Sequence, residues 1–89
     1  MPSISMFYGI IIYMLYDDTK EHNLPHVHVK YSGETASFCI TTGKLLAGKL
    51  PPKQTKLVQA WIMLRKEELQ ANWTLALQKE VLYKIDPLK

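Results

Sequence analysis

The sequence predicts an α+β fold: an antiparallel meander of three or four strands, followed by one long or two consecutive helices packed on one face of the sheet. Three observations predict it. From Met6 to about Gly48, apolar residues come in short runs, several alternating with period two, separated by turn residues. Pro51-Pro52 then interrupts the pattern, and from Lys53 to about Gln78 the apolar residues recur at helical spacing. With 89 residues, 47% hydrophobic and 21% charged, the chain has the length and composition of one globular domain.

The first strand is expected at Met6–Tyr16, a run rich in β-branched and aromatic residues. Both of its alternating faces are apolar, as in a central strand covered on both sides. One helical layer cannot easily cover both, so the chain is expected to self-associate or to take a small partner protein. Asp17 and Asp18 end the run, and a polar loop leads to Pro25, which biases Leu24 toward an extended backbone. The second strand is His26–Tyr31. Ser32-Gly33 is a two-residue turn, and Glu34–Ile40 is the third strand, with Ala36, Phe38 and Ile40 on one face. Thr42-Gly43 turns the chain again, and Lys44–Ala47 is a short fourth strand ending at Gly48.

In the helical region Leu57, Val58, Trp61, Ile62, Leu64, Leu69, Trp73 and Ala76 form a broad apolar arc. The charged run Arg65-Lys66-Glu67-Glu68 falls midway and marks a kink or a break into two helices. From Tyr83 to the end the tail reads as extended.

Several function classes are disfavoured by composition. A single cysteine, Cys39, rules out an internal disulfide framework and fits a reducing, cytoplasmic setting. The apolar stretch Ile4–Tyr16 is 13 residues long, short of the roughly 20 that a membrane-spanning helix needs, and lacks the flanks of a signal peptide. Asn72-Trp73-Thr74 matches a glycosylation sequon that is incidental without export. A net charge of +3 permits a nucleic-acid partner without requiring one.

The residues best suited to chemistry are His22, His26 and His28. Residues two apart on a strand share a face, so His26 and His28 should stand side by side. His22 lies in the preceding loop, with Asp17 and Asp18 at its other end. Imidazoles and carboxylates so placed suit a zinc-class divalent metal or acid–base catalysis near neutral pH. The plainer reading is that the histidines hold the loop by hydrogen bonds to backbone, and the spacing matches no specific zinc motif.

Lys44, Lys49, Lys53 and Lys56 form a stretch without acids that could meet nucleic-acid phosphates, or simply a solvated face. Trp61 and Trp73 read as core anchors rather than base-stacking platforms. Asn72, at the edge of the arc, reads as a local cap. Cys39 has no basic neighbour in sequence to activate it.

Phe7-Tyr8-Gly9-Ile10, Asp17-Asp18 and His22-Asn23-Leu24-Pro25-His26-Val27-His28 form one signature. Gly48-Lys49-Leu50-Pro51, Glu68-Leu69-Gln70-Ala71-Asn72-Trp73 and Lys84-Ile85-Asp86-Pro87-Leu88 are three more. Together these resemble the bacterial domain-of-unknown-function 4160 family over nearly the whole chain. Leu24, Val27 and Val29 depart from its usual proline, phenylalanine and alanine, and the loop from Asp18 to His22 is longer than in the shortest members. No histidine is lost. The resemblance implies a member of a small bacterial gene pair of toxin–antitoxin type, by analogy of context.

Two readings follow. One is a binding module acting through protein and nucleic-acid contacts. The other is a small metal- or histidine-dependent nuclease using His22, His26 and His28. Converging, exposed histidines favour the second, and histidines tied to backbone carbonyls favour the first.

Overall fold

A five-stranded antiparallel sheet followed by two helices forms the α+β fold. The computed structural model describes residues 3–15 and 24–88. The strands β1 (Ser3–Phe7), β2 (Ile10–Tyr13), β3 (His26–Tyr31), β4 (Glu34–Cys39) and β5 (Leu45–Gly48) lie side by side in sequence order. Each pairs antiparallel with the next.

The strand count exceeds the expected three or four because the run beginning at Met6 is not one strand. Tyr8 and Gly9, at φ 51° and 77°, turn it into the β1–β2 hairpin, leaving β1 on the sheet edge. Two central residues at positive φ give the tight turn whose twist matches the flanking strands. The same combination recurs at Ser32 and Gly33, between β3 and β4.

Alternation then sorts the residues by face. Ile10, Ile12, Val27, Val29, Ala36 and Phe38 point to one side and are buried in a single cluster with Val58, Trp61, Ile62, Leu69 and Trp73 of the helices. Full burial of such side chains stabilises by roughly 1.5–3 kcal/mol each. The opposite side is buried at Tyr13, His26, Ser37 and Cys39 and exposed toward the β1–β2 turn. Met6 and Ile11, paired across the hairpin on that side, leave Met6 63% exposed.

A register shift between Ser3 and Ser5 breaks the alternation in β1 and turns Ile4 and Ser5 both inward. The Ser5 hydroxyl is consequently buried with no hydrogen-bond partner among the described residues. A second shift, between Ser37 and Phe38, brings β5 close to β4. At Gly48 a side-chain carbon would collide with the Thr35 carbonyl oxygen and come within 2.8 Å of Ala36 Cα.

The helices are α1 (Pro52–Leu64) and α2 (Lys66–Leu77), and the break between them falls at Arg65, where the charged run begins. Beyond α2 the tail runs without regular structure and is fastened by hydrogen bonds. Ile85 N–H donates to the Ile4 carbonyl at 2.8 Å, and Trp61 Nε1 donates to the Asp86 carbonyl at 2.8 Å. Lys84 Nζ donates to the Ser3 carbonyl.

Candidate functional site

The face of the sheet opposite the main core cluster carries a row of side chains set by register. Tyr13 on β2 is opposite His28 on β3, which is opposite Ser37 on β4, which is opposite Ala47 on β5. The Tyr13 and His28 rings stack with centroids 5.4 Å apart and planes at 19°. Ser37 Oγ lies 3.4 Å from His28 Nδ1. A hollow of about 150 Å³ opens beside them, lined also by Thr35 and Gly48.

His26 stands next to His28 on β3, their ring centroids 5.2 Å apart, so the pleat does place the two imidazoles together. Their surroundings differ. His26 is 1% exposed, its ring 5.0 Å from that of Trp73. Its Nδ1 donates to the Leu24 carbonyl at 2.7 Å, which fixes the proton on that nitrogen. His28 is half-buried.

Asp17, Asp18 and His22, the remaining members of the expected cluster, lie outside the described residues. Among the described residues no group of three histidine, cysteine, aspartate or glutamate side chains is placed to hold a metal ion.

Cys39 is opposite His26 across β3 and β4 and is buried. Burial pushes its thiol up, but hydrogen bonds from the Thr42 side chain and backbone and from Thr41 outweigh it and hold the thiol below its ordinary range. These donors lie two and three residues onward in the turn. Neither Thr41 nor Thr42 is basic, so the sequence carries no sign of this effect.

Asn72 is not the local cap expected of it. It is buried, and its amide makes two bonds to one residue of the tail: Nδ2 donates to the Tyr83 carbonyl at 2.8 Å, and Oδ1 accepts from Tyr83 N–H at 3.1 Å. Trp61 and Trp73 are both core residues.

Of the four lysines of the acid-free stretch, one lines a groove. Lys53 lines a groove of about 500 Å³ with Tyr8, Tyr31, Gln54, Leu57 and Leu88, whereas Lys44, Lys49 and Lys56 do not line it. By sequence pattern alone Tyr8 and Tyr31 read as strand residues, Tyr8 also as part of the Phe7-Tyr8-Gly9-Ile10 signature.

A third feature is the elbow between the helices. Met63 and Leu64 are 73% and 69% exposed. Leu64 lines two adjoining grooves of about 240 and 380 Å³: one with Trp61, Arg65, Pro87 and Leu88, the other with Met63, Lys66, Glu67 and Glu68. No helix among the described residues is long and apolar enough to cross a membrane.

A family model described as Domain of unknown function (DUF4160) matches residues 9–74, and the chain belongs to that family. No curated protein and no solved structure matches the chain.

Proposed function

We propose that this DUF4160 member is a binding module, one half of a toxin–antitoxin-like pair that works in the cytoplasm by contact with a small partner protein. The observation that carries this reading is the elbow, where two adjacent large apolar side chains, Met63 and Leu64, stand in solvent. Charged Arg65, Lys66, Glu67 and Glu68 surround them. An apolar centre within a charged rim is the anatomy of a protein interface. The Leu24 carbonyl that holds His26 supports the same reading, since an imidazole committed to backbone and buried against Trp73 serves the fold. The nuclease alternative would draw on His22, His26 and His28 with Asp17 and Asp18, and the commitment of His26 to the Leu24 carbonyl weighs against it.

Sedimentation of the chain alone, and mixed with the product of the neighbouring gene, tests the proposal. A complex with that partner, lost in Leu64→Glu while thermal stability is kept, is the expected result. A stable homodimer lost in the same variant would make the partner a second copy of this chain. Absence of either complex overturns the reading. Metal-dependent cleavage of nucleic acid abolished by His28→Ala would replace it with the enzyme.

A further inference from the structure

We infer that the groove between the two hairpin turns and α1 binds a nucleotide, its base stacked on Tyr8 and its phosphate met by Lys53. This goes beyond the protein-binding role and rests on Tyr8 and Lys53, which take no part in the elbow. The groove holds about 500 Å³, within the range of small-ligand sites.

Tyr31 forms a fixed aromatic wall: its ring lies under the β1–β2 turn, where a side-chain carbon on Gly9 would come within 3.6 Å of its Cε1, and its hydroxyl accepts from Gln54 Nε2 at 3.2 Å. Tyr8 supplies a second ring, 61% exposed and set edge-on to Phe7, with centroids 6.4 Å apart. Leu57 and Leu88 give apolar floor, and the Gln54 amide can serve the edge of a base.

Charge favours an anion. Lys53 has no ion-pair partner and no carboxylate lines the groove among the described residues. An aromatic platform beside a cation is the arrangement by which proteins hold unpaired bases.

The backbone of Tyr8 adds an independent indication. Its φ of 51° is one that asparagine or glycine adopts far more readily at the first position of such a turn. A bulky ring stands where the turn would fold better without it, and stacking on a base gives it a role.

Tyr8→Asn therefore separates function from folding, because it should hold or raise the melting temperature while removing the platform. Fluorescence anisotropy with labelled ten-nucleotide oligo(U) and oligo(dT), and calorimetry with AMP, UMP and inorganic phosphate, give the binding. The expected result is saturable binding of oligonucleotide, of mononucleotide, or of both. It should weaken about tenfold or more in Tyr8→Asn, and Lys53→Gln should lower the slope of log affinity against log salt by about 0.7. Binding of oligonucleotide alone assigns a strand as the ligand. Mononucleotide binding of equal strength assigns the free nucleotide.

Inorganic phosphate competing as well as UMP overturns the base-stacking role. So does a groove that takes a proline-rich peptide and no nucleotide, or binding indifferent to both variants. Leu64→Glu should leave nucleotide binding intact and Tyr8→Asn should leave the partner complex intact, so either proposal can fail alone.

Discussion

The imidazole of His26 donates to the Leu24 carbonyl and packs on Trp73, at the point where the polar face of β3 meets the helical layer. Replacing it with alanine leaves the Leu24 carbonyl without this donor and a hole beside an indole ring. The expected cost is about 2–3 kcal/mol of unfolding free energy, read by chemical denaturation. A loss below about 0.5 kcal/mol would return His26 to the candidates for chemistry. Ser5 presents the reverse case. Its hydroxyl is buried and lacks a partner among the described residues, so Ser5→Ala should be neutral or stabilise by up to about 1 kcal/mol. That His26 and His28 share a face follows from the strand period and was legible. Which carbonyl takes the His26 proton depends on where Leu24 comes to rest, and no local rule states that.

Among the elements, the helices and the β3–β4 hairpin were plain in the sequence because each follows a local rule. Pro51-Pro52 ends one period and opens another, and Ser32-Gly33 is a recognisable turn. The β1–β2 hairpin was hidden because Tyr8 carries none of the polar turn signal, so an apolar run spanning a turn imitated a single central strand. The Ser3–Ser5 bulge blurred the period further. Gly48 is legible as a glycine that ends a strand, but its necessity comes from β4. With φ at 73° and the Thr35 carbonyl against the position of any side chain, Gly48→Ala must push β5 away. A cost of about 1–3 kcal/mol is expected, with faster amide exchange at Lys49, whose N–H bonds to the Thr35 carbonyl at 3.2 Å. Unchanged exchange there would show that β5 does not need this close approach.

At the scale of the whole molecule, the motifs of the sequence prove to be parts that hold one another. Trp73 of the Asn72-Trp73 pair touches His26 of the histidine signature, while Asn72 grips Tyr83 just before the Lys84–Leu88 motif. The tail then bonds to β1 through Ile85 and to Trp61 through Asp86. Residues far apart in the chain are thus closed into one unit by a few side-chain-to-backbone bonds, so the tail should open as a unit when its first clamp is removed. Asn72→Ala deletes both bonds to Tyr83 and leaves that residue's N–H and carbonyl without their protein partner. Amide exchange at Tyr83 and Ile85 should then accelerate by about tenfold or more, for a local loss of about 1–3 kcal/mol. The amides of β3 and β4, which pair along six residues each, should keep their protection. Equal acceleration in β3 and β4 would mean that the tail and sheet unfold together. No acceleration at Ile85 would mean that its bond to Ile4 holds the tail without Asn72.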